Sequence, residues 1–539
     1  MGLPGHSGQD YGAAGPTQAR AARRVTVVAL AIAVLLILYW RLSLLAPVSS
    51  DGAANVLQAR DMLHGNLLLH HWWVSDVSFY TTELPQYMLI EAVLGLGPSV
   101  VHVAAAMTYT LLVVLAALLA KGQAQGKAGL ARALLAAGII LAPQLSATQI
   151  VLLQPQHAGT SVPVLVAWLV IDRRPRTWPR WLGPAVVCVI LGATTVADPS
   201  VLLTGIVPLV LVCLVRACPG VMRGPRTEPR WYELSLAAAG AVAGLGYFAP
   251  RAIAALGGFR QWPVVSGTAP VGLWTRGAKW TFQGVLELFG ANFYQARPGI
   301  EVAFAVVHLA GAVLVACGVV LALVRFFRFQ DLVIPVLAVG IVLNLAAYLT
   351  SLRSHGILDT REIGGVLGLG AALAGRMFGE RALAAVLAAR RAKAWALPAL
   401  AVVAFGYLGA LAYGVAQPSA PPENQPLAAW LVEHRLTDGL AGYWQASSTT
   451  VDSGGKVQVN AVTLNGKGHL VPYQWETDDR AYNPSLHYAN FVVTDGPLPL
   501  SLSGAWSAAV RTFGRPQRVY RYDGYTIMVW PANLLRRLR

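Results

Sequence analysis

Long apolar runs separated by short polar, mostly basic breaks recur along the chain between residues 25 and 416. A bilayer span needs roughly 20 mostly apolar residues. On that measure membrane spans are predicted near 25–45, 99–120, 129–150, 158–172, 182–197, 200–216, 233–256, 301–324, 331–350, 363–379 and 395–416, about eleven in all. Two long polar stretches interrupt the series, at 46–98 and 257–300. Within the first, apolar residues at helical spacing over 53–63 and 84–94 predict two amphipathic helices lying on the membrane surface. Within the second, residues 279–290 predict a short helix whose Trp280 and Phe282 suit the interface.

From residue 417 to 539 the pattern changes. Residues 426–436 have the spacing of a helix, and alternating runs follow at 457–462, 491–493 and 519–529. Asp523-Gly524 interrupts the last run, a strong signal for a β-hairpin. The fold class expected is a polytopic α-helical membrane protein with a small C-terminal α/β domain. Residues 1–24 are expected to be a disordered cytoplasmic tail. The run from Val25 to Leu45 reads as a signal anchor, being long enough to span and lacking a cleavage site.

Composition narrows this picture. Of the 539 residues 55% are hydrophobic and 12% charged, against roughly 25% charged in soluble domains; most of the surface must meet lipid. The net charge of +16 does not point to nucleic acid, because Lys and Arg concentrate in the short loops, where they set topology and meet anionic headgroups. Every second loop is basic, for example Lys121, Lys127 and Arg132, then Arg173, Arg174, Arg176 and Arg180. With the N-terminus inside, an odd number of spans places residues 417–539 outside the cytoplasm. The four cysteines lie in or beside apolar runs, so the outer part has no disulfide framework and no zinc spacing.

The candidate chemistry lies at the predicted outer surface. Asp51 directly follows the first span. His157 ends Gln154-Pro155-Gln156-His157, and Asp198 sits in Ala197-Asp198-Pro199. His355, Asp359, Arg361 and Glu362 share a later outer loop. Ionisable groups beside hydrocarbon are costly and are functional candidates by default. Structural roles stand beside the functional ones. Asp198-Pro199 and Asp51 both suit a helix N-cap, and His157 suits a solvated turn. His70-His71-Trp72-Trp73 reads as an interfacial anchor rather than a metal site. No P-loop, nucleophile elbow or inverted repeat of broken helices is present, which argues against a pump or a secondary transporter.

One acidic residue after the first helix, two helices in the first outer loop, many further spans and an outer C-terminal domain together resemble the GT-C glycosyltransferases. The likeness is greatest to the protein O-mannosyltransferases and lipid A aminoarabinose transferases. Asp51 matches the first of that family's acidic pair. Phe79-Tyr80-Thr81-Thr82-Glu83-Leu84-Pro85 is similar to its aromatic–charged–Pro segment, and Arg361 to the Arg of its late outer loop. The chain departs from the family at Gly52, where a second acid is expected, and at Gln154–His157, where an Asp often stands.

The resemblance implies an enzyme taking a sugar from a polyprenyl-phosphate lipid to an outer acceptor (glycan, lipid or protein) with inversion. Asp51 would be the general base and Arg361 the ligand of the departing phosphate. Glu83, Tyr80, His157, Asp198 and His355 would line the site. No cofactor is indicated: the lipid-linked oligosaccharide transferases of the superfamily use a divalent metal, which leaves metal dependence open, but this loop is more similar to the mannosyltransferase-like branch, which uses none. The alternative is a non-enzymatic membrane protein, a transporter or an envelope assembly factor.

Overall fold

The structure, a computed structural model, describes residues 16–147, 152, 157–175, 177–220, 222, 229–264, 267–392, 396–496, 502 and 504–538. Helices stand wherever the apolar runs predict spans. Six of them, among the described residues, are long and apolar enough to cross a membrane: Val25–Ser43, Ser99–Lys121, Arg230–Ala255, Ile300–Val324, Val333–Thr350 and Pro398–Ala416. Leu182–Ala197 and Leu202–Ala217 are apolar but shorter. The expected run at 129–150 becomes a helix of 14 residues, Gly126–Ile139. The first helix already starts at Pro16, so the end of the expected N-terminal tail is helical. Aliphatic side chains such as Val25 (70% exposed) and Val189 (70%) stand bare on the outside, as they do where lipid is the solvent.

Gly365–Ala392 runs through the middle of the bundle. It is buried on every side from Gly365 to Arg376, which explains its apolar character all round. Its glycines let neighbouring backbones close in. A Cβ on Gly379 would lie 2.4 Å from the Arg132 Cα. At the end of the bundle away from the tail, Arg376 holds two helices by charge. Its guanidinium bonds Asp172, Asp331 (2.5 Å) and the Leu119 carbonyl (2.8 Å).

The first outer loop folds as the Ser50–Leu63 helix, a short strand Trp72–Val74 and the Glu83–Leu94 helix. Ser50–Leu63 is not a surface helix. Asn55, Val56, Gln58 and Ala59 on several of its faces are buried, because it lies between Glu83–Leu94 and the tail helix Tyr443–Asp452. Glu83–Leu94 does expose Leu89 and Val93, as an interfacial helix would. Nor are the two tryptophans a membrane anchor. Trp72 is buried and its indole N–H donates to Asp61 (2.8 Å), while Trp73 packs on Trp262.

The tail is a mixed sheet with three helices, Gln425–Glu433, Tyr443–Asp452 and Trp506–Phe513. Six strands run in the order Leu470–Pro472, Gln458–Leu464, Asp438–Ala441, Phe491–Asp495, Tyr525–Val529, Arg518–Tyr522. The central pairings are parallel and the outer ones antiparallel. Asp523 and Gly524 both have positive φ (45° and 79°), the type I′ turn that an Asp-Gly pair favours. A second, three-stranded sheet joins the parts of the molecule. Trp72–Val74 pairs in parallel with Arg260–Gln261 and antiparallel with Thr477–Asp478, so both long loops and the tail share one ladder.

Candidate active site

Asp51 stands in the first turn of the Ser50–Leu63 helix. It is not the cap: Ser49 takes that position, its Oγ accepting from the Gly52 N–H at 3.3 Å. The Asp51 carboxylate is therefore free to face the tail. The Tyr443 hydroxyl lies 2.5 Å from Asp51 Oδ1 and 2.6 Å from Glu476 Oε2. A phenol has one proton to donate, so one of the two carboxyls must itself carry a proton. Burial pushes Glu476 well above the usual carboxylate range, and the neighbouring Asp51 charge adds to this. Asp51 is also raised by burial, against the lowering effects of the Tyr443 bond and the Arg361 charge. Glu476 thus stands as a second acid beside Asp51.

Glu476 is held there at a cost. Its φ is +49°, a left-handed conformation that costs a non-glycine residue roughly 1–3 kcal/mol. The strand pairing of Thr477–Asp478 with the first loop fixes it. Phe79, across the same cavity, is likewise left-handed (φ +52°).

That cavity, of about 480 Å³, is lined by Asp51, Glu476 and Trp475, by Asp76 and Phe79, and by His157, Arg353, His355, Asp359, Arg361 and Glu362. Arg361 is exposed. Arg353, which the sequence did not single out, bridges Asp76 (2.5 Å) and Glu362 (3.4 Å). Asp359 is engaged as a cap, accepting from the His355 and Gly356 N–H groups at 2.9 Å. His355 meets Arg276 at 3.0 Å.

His157 is not a solvated turn residue. It is buried between Asp198 (2.5 Å) and Glu362 (3.3 Å). Burial works against ionisation of Glu362, but His157 and Arg353 overcome it and bring the carboxyl down to about 2. Asp198 takes both roles open to it. One oxygen accepts from the Ser200 N–H (2.8 Å), as a helix cap does, and the other serves His157 and Thr160. Asp198 lines an adjoining cavity of about 390 Å³ with His157, Glu362, Arg251 and Trp262.

Glu83 is buried beside the His157–Asp198 pair. Burial above all pushes it up to about 8, with Asp198 adding to the shift. Its Oε1 packs on Gly159, where a Cβ would come within 2.0 Å. Tyr80 is not brought to the cavity. Its hydroxyl donates to the Leu67 carbonyl (2.9 Å) and its ring packs on Phe259. Gln154, Pro155 and Gln156, where the chain departs from the GT-C pattern, lie outside the described residues.

Sequence reasoning missed Glu476 and Tyr443. The tail offered no motif to mark them; the only signal was a Trp475-Glu476 pair between two predicted strands. Arg353 was passed over because it closes an apolar run.

No protein-family model matches the chain, and no curated protein does. Solved structures do. ArnT from Cupriavidus metallidurans, determined bound to undecaprenyl phosphate, superposes with a TM-score of 0.54 at 14% identity, over 94% of this chain and 99% of that one. The mycobacterial arabinofuranosyltransferase AftD, in a mutant form, gives a TM-score of 0.38 at 14% identity, over 94% of this chain and 41% of AftD. The order of spans, the helical first long loop and the C-terminal sheet domain are thus one architecture, and the chain is a multi-pass membrane protein with the fold of ArnT.

Proposed function

We propose that the chain transfers a sugar from a polyprenyl-phosphate donor to an acceptor hydroxyl on the outer side of the membrane. One observation carries the reading: Asp51 and Arg361, far apart in sequence, line one cavity. The undecaprenyl phosphate bound by ArnT supports a lipid of that class here. The acceptor oxygen attacks the anomeric carbon, and its proton passes to Asp51. The bond from that carbon to the phosphate oxygen breaks, with its electron pair leaving on the phosphate. Arg361 meets the growing charge with a planar fork suited to phosphate oxygens. A single displacement inverts the anomeric centre. Glu476, kept neutral by burial, leaves Asp51 as the carboxylate that is free to act as base.

The test is transfer from a polyprenyl-phosphate sugar in membranes holding equal amounts of each protein. A positioned general base contributes ~10²–10⁴-fold, and Asp51→Asn should lose that factor while still inserting, since Ser49 and not Asp51 caps the helix. Arg361→Lys keeps the charge but loses the fork and should weaken donor binding as well. Equal transfer by wild type and Asp51→Asn would end the proposal.

A further inference from the structure

Beneath the tail lies a cavity of about 360 Å³ that, among the described residues, meets the membrane part at Asp51 and Arg361. Its other walls belong to the tail, and four of them are aromatic: Tyr443, Trp444, Tyr473 and Trp475. Each of the four is only half-buried. Tyr443 and Tyr473 rest on the tail core and also wall this cavity. Leaving aromatic surface uncovered forfeits roughly 25 cal/mol per Å², so an uncovered cluster at one end of a reactive cavity is expected to have an occupant. The rings are also fixed in place. Tyr443 stands edge-on to Trp444 (5.2 Å) and to Tyr473 (5.5 Å), and its hydroxyl is tied to Asp51 and Glu476.

We propose that this cavity is the acceptor subsite and that the acceptor is a carbohydrate. The proposal rests on the transferase reading and adds the substrate class to it. Aromatic faces carry negative charge. A sugar ring presents to them a face of C–H bonds polarised by its oxygens, and at its rim hydroxyls that need hydrogen-bond partners. The cavity supplies both: flat aromatic walls, then Thr463, Asp51 and Arg361 at the margin. An acyl chain calls for aliphatic walls. An anionic headgroup calls for several cations, whereas Arg361 is the one cation among the described residues lining this space, and it also faces the larger cavity of about 480 Å³. The volume falls in the roughly 300–1,000 Å³ range of small-ligand sites. A sugar seated there directs a hydroxyl at Asp51 from the tail side while the lipid donor enters from the other.

The experiment uses the full chain in lipid nanodiscs and saturation-transfer NMR. The probes are methyl glycosides and disaccharides of glucose, mannose, galactose and arabinose, with a Ser/Thr-containing hexapeptide as counter-probe. At least one saccharide should receive saturation at its ring C–H protons. Its apparent affinity should fall roughly tenfold in Trp475→Ala and stay within about threefold in Trp475→Phe, which keeps an aromatic face. Trp444→Ala, on a different segment, is measured in parallel, so that a folding defect in one variant does not decide the result. Saturation of the peptide alone, or saccharide signals indifferent to both tryptophans, would overturn the proposal. Asp51→Asn separates the two readings. Saccharide binding retained with transfer lost supports both. Transfer that depends on Asp51 with no saccharide bound leaves the enzyme and removes this subsite. Saccharide binding with transfer indifferent to Asp51 leaves the subsite and removes the proposed chemistry.

Discussion

Tyr443 has a single hydroxyl proton, and Asp51 and Glu476 both stand within hydrogen-bond reach of it. The bond from Tyr443 lowers the Asp51 carboxyl against the upward push of burial. Tyr443→Phe removes that bond, so Asp51 ionises only at higher pH and the acidic limb of kcat/KM against pH should move up. Glu476→Gln behaves differently. Its amide is neutral, as the buried acid is, and can still donate to the phenol oxygen, so the acidic limb should stay near that of wild type. Activity lost at alkaline pH through ionisation of Glu476 should be absent from this variant. A pH profile for Tyr443→Phe that overlays wild type would show that the tyrosine does not set the base.

Among the elements, those with strong local patterns were the legible ones. Asp523-Gly524 marked its hairpin, and the apolar runs marked the helices of the bundle. Ser50–Leu63 was found as a helix but placed wrongly. Its apolar spacing reads as a membrane-surface helix, and the tail helix Tyr443–Asp452, absent from the prediction, shows why Asn55 and Gln58 are buried. Tyr443–Asp452 was missed because Ser447, Ser448, Thr449 and Thr450 favour caps and turns over helix interiors. Asp51, His157, Arg361 and His355 were found and meet in one cavity, because charge beside hydrocarbon is conspicuous. Glu476 was not, since a glutamate in a water-facing domain is not. Arg376 belongs to the conspicuous kind. Truncating it as Arg376→Ala leaves Asp172 buried without its partner, and breaking such a buried pair costs about 3–5 kcal/mol. A clear fall in the unfolding temperature in detergent is expected. Asp331→Asn should cost less, because that carboxyl is more exposed. Equal midpoints for wild type and Arg376→Ala would mean that the charges are solvated.

For the molecule as a whole, we propose from the basic loops and the odd number of expected spans that the tail lies outside the cytoplasm. Alkaline phosphatase fused after Trp530 should be active, and a fluorescent protein that folds only in the cytoplasm should stay dark at the same point. The reverse pair of results would put the cavity on the wrong side for an outer acceptor and displace the proposed chemistry with it. The arrangement suits the proposed division of substrates. Charged groups gather at the base of the tail, between the aromatic cavity above and the larger cavity lined by His157, Arg353 and Glu362 beside them.

The ladder that joins Trp72–Val74 to Thr477–Asp478 has a consequence for biosynthesis. Tyr443 lies 392 residues beyond Asp51 in the chain, so the base is inserted long before the groups that tune it have been made. Until the tail crosses the membrane and folds, Asp51 and Arg361 have no aromatic cover, and Glu476 is not in place. On the proposed reading, a nascent chain therefore has no finished site with which to spend a lipid donor on water. On the proposed chemistry, the site is complete only once the tail has folded against the first long loop.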